Sequence, residues 1–321
     1  MSITMRQLEI FKAVVGTGQV TKAAQSLFIT QSAVSLALNE MENQLGGPLF
    51  DRIGRRLELN DRGRYFLPLS REILDKLENL DSLMNEKDGN FAGTLKLVAS
   101  STIGNYVLPY LITVFKNMYP NVHFNMLVCN TDTAEKMIID REVDLGFVEG
   151  EVNNEKIKVL NWFQDELILI TRAKDTECEI ICDVTTDLNK YNWVMREAGS
   201  GTAQIFKSKL GRYVTDLNVV MELGHTEAIK KAVEAGAGIG CLSSLTVCRA
   251  INRGWLQQIP LKGVDMKRQL FIIQHKDKAK TRLMNEFLDF CFLLTQCSEG
   301  QACLSSPEKF QELVLQFSSK K

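Results

Sequence analysis

Two short stretches carry the side chains best suited to hold a small ligand. Ser100-Ser101-Thr102 follows directly on the apolar run 94–99, the pattern of a strand that ends where a helix begins. Arg196-Glu197-Ala198-Gly199-Ser200-Gly201-Thr202 stands in the same position before a helical stretch that runs to about Leu210. At such starts hydroxyls converge with backbone N–H groups that have no partner inside the helix, and the helix dipole adds positive potential. Two of them facing across a cleft make an anion site. Each alone also fits ordinary capping, and it is the pair that points to a ligand. Glu149 ends the strand-like run 143–148, and His225 precedes a helix opening at Thr226. Both can reach the same cleft, or serve as surface residues. The ligand candidates are therefore Ser100, Ser101, Thr102, Glu149, Arg196, Glu197, Ser200, Gly201, Thr202 and His225.

A second chemistry is written near the N-terminus. Residues 20–45, VTKAAQSLFITQSAVSLALNEMENQL, read as two helices about a tight turn at Phe28 and Ile29. The first spans 21–27 with Thr21 as its cap. The second opens on Thr30 and stops at Gly46 and Gly47. Val34, Leu38, Met41 and Leu45 share its buried face, which leaves Ser32, Leu36, Asn39 and Asn43 on the opposite face, with Ser35 at its edge. The stretch also fits an ordinary helical hairpin, so its neighbours decide. Residues 48–60 read as two short strands about Gly54, with Arg52, Arg55 and Arg56 on them. Two helices in this order followed by an arginine-bearing hairpin form a winged helix-turn-helix, whose second helix enters the major groove of DNA while arginines meet phosphates or the minor groove. Thr30, Gln31, Ser32, Ser35, Asn39, Arg52, Arg55 and Arg56 are the DNA-binding candidates.

The elements that must position these residues follow from periodicity. Thr4 and Gln7 have capping-box spacing before a first helix with Leu8, Phe11, Val14 and Val15 on its apolar face. From Asp61 to about residue 86 the pattern is helical, with Phe66, Ile73, Leu77, Leu80 and Met84 as a heptad-like seam. One helix cannot bury such a seam alone, which predicts pairing with a second copy. A charged linker, 87–93, follows. Strand-like runs at 94–99, 123–128, 143–148, 165–171, 193–196, 219–223 and 267–274 then alternate with helical ones near 103–115, 133–140, 202–210, 226–235 and 281–294. That alternation is α/β, with ligands expected at strand carboxyl ends.

Bulk composition excludes more than it assigns. A chain of 321 residues with formal net charge −1 gives no global sign of nucleic-acid binding. Across residues 1–64, eight cationic side chains stand against six acidic ones, a balance of +2, with the cations bunched at 52–64. No apolar run is long enough to span a bilayer, and the first residues lack a signal-like core. Eight cysteines without a Cys-x-x-Cys pair suit a reducing cytoplasm, and His123, His225 and His275 show no ligand spacing. No metal, cofactor or catalytic set is expected. Gly236–Gly240 has the glycines of a dinucleotide fingerprint but follows a helix, the reverse of the order phosphate cradling needs. Gly199-Ser200-Gly201 has Ala198 where a nucleophile elbow needs its first glycine, and no histidine–carboxylate partner is evident. Cys178 and Cys182 are the cysteine pair closest in sequence, and residues 306–317 suggest a further amphipathic helix.

Residues 1–90 resemble the N-terminal half of a LysR-type transcriptional regulator. Arg6-Gln7-Leu8-Glu9-Ile10-Phe11, Ala23-Ala24, Gln31-Ser32-Ala33-Val34-Ser35, Leu45-Gly46, Leu49-Phe50-Asp51-Arg52 and Arg55-Arg56-Leu57 carry the resemblance in order and spacing. Relatives commonly place a basic or amide side chain after the serine, where this chain has Leu36-Ala37-Leu38. Base readout then leans on Gln31, Ser32, Ser35 and Asn39, with Leu36 against a thymine methyl. The remainder resembles the family's effector domain, which is similar to periplasmic binding proteins. The resemblance implies four segments: a winged helix-turn-helix at 1–60; a linker and dimerisation helix at 61–89; a two-subdomain α/β effector domain at 90–294; and an extension at 295–321. Within the effector domain it puts subdomain one at about 94–162 and 267–294, and subdomain two at about 163–266. It also implies a cytoplasmic homo-oligomer, a dimer through the linker helix and a tetramer overall. Its partners would be double-stranded promoter DNA, a small anionic effector and RNA polymerase. Residues 99–109, 144–150 and 226–233 look most like the branch that controls sulfur assimilation, which implies a sulfur oxyanion or a cysteine precursor as effector. Ala203 departs from relatives that carry an arginine there. The rival reading is a cytosolic enzyme or solute binder built on the α/β half.

Overall fold

The computed structural model describes residues 3–54, 56–85, 92–173, 182–183, 188–214, 217–278 and 280–296. Arg55, Cys178, most of the linker and the segment after residue 296 lie outside these residues, as do the side chains of Cys182 and Met84. The chain divides into two compact units.

The N-terminal unit begins with α1 (Met5–Thr17), α2 (Val20–Ser26) and α3 (Gln31–Leu45), continues through β1 (Phe50–Ile53) and β2 (Arg56–Leu59), and ends in α4 (Asp61–Asn85). Local chemistry sets most of the boundaries. Thr4 and Gln7 form a complete capping box on α1. Thr30 Oγ1 accepts from Ala33 N–H at the start of α3, and Gly46, at φ 78°, ends α3 in the left-handed region that glycine enters without strain. The first helix of the motif starts differently from the expectation. Gln19, not Thr21, is the cap residue of α2, and it makes no side-chain capping bond. Thr17 Oγ1 organises this turn instead, donating to Ala13 O and accepting from Gln19 N–H.

The unit's core gathers Leu8, Phe11 and Val14 of α1 with Val34, Leu38 and Met41 of α3. Phe11 packs against Phe50 and Phe66, with ring centroids 5.4 and 5.2 Å away. Phe66 and Leu74 of α4 therefore belong to this core. The expected single seam resolves into two faces, since Leu69, Ile73 and Leu80, at steps of four and seven residues, are exposed. Pro68 sits inside α4.

The second unit opens with β3 (Gly93–Ser100), α5 (Ser101–Tyr106), α6 (Leu108–Met118), β4 (Val122–Cys129), α7 (Thr131–Ile139) and β5 (Leu145–Glu149). The long strand β6 (Ile157–Arg172) follows, then β7 (Cys182–Asp183), β8 (Asn192–Arg196), α8 (Gly201–Leu210), β9 (Asn218–Leu223) and α9 (Thr226–Glu234). The chain continues through β10 (Ile239–Ser243), α10 (Ser244–Asn252), β11 (Leu256–Ile259), β12 (Leu261–Lys262), β13 (Lys267–His275) and α11 (Arg282–Gln296). Pro109 near the start of α6 splits the helix expected at 103–115 into two, because proline suits a first turn and not an interior.

The strands run in the order β4-β3-β5-β13-β6-β10-β8-β9, with β11 also on β6. The sheet is mixed. β3 pairs in parallel with β4 and β5, and β8 with β9 and β10, whereas β13 and β10 lie antiparallel to β6. This is an α/β domain of two subdomains joined through one 16-residue strand. The first half of β6 pairs with β13 and its second half with β10 and β11. Each subdomain has its own apolar core, one around Phe115, Phe147 and Phe287, the other around Trp193 and Phe206. Among the described residues no helix is long and apolar enough to cross a membrane.

Candidate functional site

Two strand ends and two helix starts meet where the two sets of hydroxyls were expected to converge. Ser100 closes β3, Glu149 closes β5, and Thr202 stands in the first turn of α8. Between them lies an anion that the chain itself supplies. The Glu149 carboxylate is almost wholly buried, with 1% exposure. Its Oε1 accepts from Ser100 Oγ (2.8 Å) and Thr102 N–H (3.0 Å), and its Oε2 from Thr202 Oγ1 (2.9 Å) and Arg268 Nη1 (3.0 Å). Ser100 and Ser200 occupy cap positions, yet neither side chain caps its helix. The hydroxyl of Ser100 is spent on Glu149 instead.

Arg268 neutralises the cluster. It reaches Asp165 Oδ2 through Nε (2.7 Å) and Nη2 (2.6 Å), and Nη1 also donates to Thr202 Oγ1 at 3.1 Å. Ser243 Oγ donates to the other Asp165 oxygen at 2.8 Å. Burial pushes the Glu149 carboxyl up, but Arg268 and the hydrogen bonds from Thr102, Ser100 and Thr202 outweigh it and leave the group below the ordinary carboxylate range. Burial likewise works against the charge on Arg268, and Glu149 with Asp165 more than restores it. Glu149 and Arg268 are thus a charged, paired couple in the buried interior.

A second cluster adjoins this one. Arg196, 5% exposed, grips Glu197 through Nε (2.7 Å) and Nη2 (2.9 Å), and points its remaining donors at Thr226 Oγ1 and Ser101 Oγ, both at 3.4 Å. Ser101 begins α5 and Thr226 begins α9, so one guanidinium spans both subdomains. The Ser200 Oγ is buried and lacks a hydrogen-bond partner among the described residues. Gly201 is required by space: a Cβ there would stand 1.3 Å from the Glu149 carbonyl oxygen. His225 is exposed and makes no hydrogen bond to either cluster.

Sequence reasoning missed Arg268, Asp165 and Thr226. The signal for the first two was present. In β13 Arg268 shares the inward face with Leu270 and Ile272, and in β6 Asp165 shares it with Leu167 and Leu169. A charge at an inward position of an apolar alternation has to be paired, and the sheet register sets Arg268 opposite Asp165.

In the N-terminal unit, Gln31, Ser32, Leu36 and Asn39 are exposed along α3, with Leu36 at 62%, and Ser35 is half-buried. Thr30 is committed to its cap and to Ser32 Oγ at 3.0 Å. Phe28, at φ 55°, is 95% exposed in the turn before α3. The arginine cluster divides in two. Arg62 holds Leu45 O and Arg64 holds Leu59 O, both at 2.6 Å, whereas Arg52 and Arg56 on the hairpin are exposed without a hydrogen-bond or ion-pair partner among the described residues. Helices, hairpin and unpaired arginines have the arrangement of a winged helix-turn-helix.

Two family descriptions match. Residues 5–64 match the bacterial regulatory helix-turn-helix protein, lysR family, and residues 88–292 the LysR substrate binding domain. The chain belongs to the LysR family of transcriptional regulators. It is 37% identical over 292 residues to the HTH-type transcriptional regulator YeiE of Escherichia coli (strain K12), covering 91% of this chain and 98% of that one. The regulatory domain of Synechocystis PCC6803 CcmR, solved in complex with 2-PG, is 26% identical with a TM-score of 0.59, over 64% of this chain and all but 1% of that chain. Full-length CbnR, solved with its target DNA, has the same fold at 20% identity and a TM-score of 0.63, over 90% of this chain and 98% of that one. As a LysR-family member the chain combines a DNA-binding head with an α/β effector domain, an arrangement of regulators and not of enzymes.

Proposed function

We propose that this LysR-family regulator is switched by a small oxyanion, of the sulfur type that the sequence resemblance implies, which takes the place now filled by the Glu149 carboxylate. The observation that supports this is the donor set on that carboxylate. Two hydroxyls, a backbone N–H and a guanidinium converge on two oxygens. Sulfite, sulfate or thiosulfate offers the same acceptors. Glu149 then acts as a resident anion: the effector binds as the carboxylate swings aside, and Ser101, Arg196, Glu197, Ser200 and Gly201 form the adjoining wall. The 2-PG complex of CcmR is in keeping with a small ligand held in this kind of domain. Exchanging an internal anion for a free one biases the equilibrium between two subdomain arrangements by the difference in its affinity for them.

The output is promoter DNA. Gln31, Ser32, Ser35 and Asn39 read base edges, Leu36 meets a thymine methyl, and Arg52, Arg55 and Arg56 contact the backbone or minor groove, with Thr30 setting the start of the helix. Assembly is as a cytoplasmic homo-oligomer, a dimer through the exposed face of α4. A tetramer follows if the sheet edges also pair. Leu127 and Val128 on β4 and Val219, Val220 and Met221 on β9 are exposed apolar residues on the two end strands of the sheet. RNA polymerase is the further partner this output calls for.

A thermal-shift panel of sulfite, sulfate, thiosulfate, O-acetylserine and simple carboxylates tests the effector. At least one oxyanion is expected to raise the effector-domain midpoint, with the rise reduced in Thr202→Ala. No rise with any of them, or a rise indifferent to that change, overturns the assignment.

A further inference from the structure

A cavity of about 300 Å³ lies on the effector domain away from the Glu149 cluster. One side is built by α5 and α6 of the first subdomain through Tyr106 and Tyr110, the other by α9, α10 and Trp255 of the second through Lys230, Arg249 and Arg253. It has room for about ten waters, the lower end of small-molecule pockets.

Its electrostatics are lopsided. Lys230 and Lys231 are paired with Glu227 and Glu234 at 2.8 and 2.7 Å. Arg249 and Arg253 have no carboxylate partner among the described residues. Arg249 Nη2 donates to the neutral Tyr110 hydroxyl at 2.8 Å, and Arg253 rests 5.1 Å from the Trp255 ring centroid, with Lys231 at 5.2 Å from the same centroid. The Lys230 side chain is only 14% exposed, and its ammonium also donates to the Tyr106 hydroxyl at 3.1 Å. Both tyrosine contacts cross between the subdomains, and in each a cation is met by a neutral oxygen. A carboxylate or phosphate oxygen makes a charge-assisted bond about twice as strong as a neutral one.

We propose that this cavity is a second ligand site, for a small organic anion whose carboxylate or phosphate sits between Arg249 and Lys230 and whose apolar body packs on Tyr106, Tyr110 and Leu245. The site is separate from the Glu149 pocket but mechanically joined to it. Helices α5 and α9, which wall the cavity, begin at Ser101 and Thr226, the two hydroxyls under Arg196. A ligand bridging the subdomains here fixes their arrangement, so it changes the affinity of the Glu149 pocket for its own anion, and the reverse holds by the same factor.

Isothermal titration of the full chain with phenyl phosphate, benzoate and inorganic phosphate at millimolar concentration tests the site. Phenyl phosphate or benzoate, whichever headgroup is preferred, is expected to bind more tightly than inorganic phosphate. Binding weakens by about tenfold or more in Arg249→Gln, the loss expected for one charged donor. It recovers in Arg249→Lys and tightens in Tyr110→Phe, which removes the competing hydroxyl. No binding of any of the three overturns the proposal, as does inorganic phosphate binding best. Loss in Thr202→Ala with retention in Arg249→Gln also overturns it and returns the ligand to the Glu149 pocket. Failure of the sulfur-anion panel leaves these outcomes unaffected.

Discussion

Replacing Arg268 with methionine is the severest test of the charge arrangement. The change keeps an apolar side chain of comparable reach but removes the guanidinium bonded to both Glu149 and Asp165. Both carboxylates are essentially inaccessible to water, with side-chain exposures of 1% and 0%. Breaking a buried pair from one side costs about 3–5 kcal/mol. In a domain of this size each kcal/mol lowers the midpoint by about 2–4 °C, so the effector-domain transition falls by about 6–20 °C.

The pH dependence of that loss has a definite sign. In the native chain the folded Glu149 carboxyl lies below its unfolded value, so its contribution is complete above the ordinary carboxylate range and is lost as pH falls through the lowered folded value. In Arg268→Met the largest opposing influence is gone and burial pushes the same group up. Its folded value then lies above that in the native chain, and the variant loses stability relative to the native chain as pH rises. The deficit is therefore greatest near pH 8 and narrows toward pH 5. Calorimetry of the native chain, Arg268→Met, Glu149→Gln and the double variant at both pH values reads this directly. The double variant is expected to recover part of the loss. A deficit under about 1 kcal/mol, or one that is the same at both pH values, refutes the reasoning.

Gly201→Ala places a Cβ 1.3 Å from a backbone oxygen, which forces α8 away from β5. The variant is expected to be strongly destabilised, and a denaturant midpoint equal to that of the native chain contradicts the close approach. Leu36→Ala is expected to leave stability within about 0.5 kcal/mol, as for other exposed positions. Its effect belongs in recognition: deoxyuridine in place of the contacted thymine weakens the native chain but not the variant, and equal sensitivity of both defeats the methyl contact. Burial pushes the Cys129 thiol up to about 11 and Cys241 up to about 12. Both are therefore expected to react with iodoacetamide at pH 8 more slowly in the folded chain than in the unfolded one, and equally fast modification in the two contradicts this.

Signals confined to a few neighbouring residues were readable from sequence, because capping and turn chemistry are local. The Thr4–Gln7 box, Thr30, Gly46 and the hairpin about Gly54 are of this kind. Thr21 misled because the residue type of a cap was present while Thr17 and Gln19 made the turn. The hydroxyls of Ser100, Thr102 and Thr202 could be brought together in advance, since strand ends and helix starts gather at one edge of an α/β sheet. Their partner could not be read the same way. Arg268 is 119 residues from Glu149, and only the pairing of β13 with β5 and β6 brings them together. The expected anion site is for that reason a site with an anion of its own. The α4 seam shows the same limit, since periodicity gave an apolar helix but not that Phe66 and Leu74 turn inward while Ile73 and Leu80 turn out.

The measurement that bears most directly on the proposed role is fluorescence anisotropy of the full chain on the DNA upstream of its own gene, with salt varied and with Arg52→Ala and Arg56→Ala alongside. The account predicts salt-sensitive binding whose slope falls by about 1 for each arginine removed. It also predicts that the oxyanion identified by thermal shift changes the affinity or the footprint in the native chain and not in Thr202→Ala. Binding that ignores salt and the hairpin arginines, or that the oxyanion leaves untouched, contradicts it.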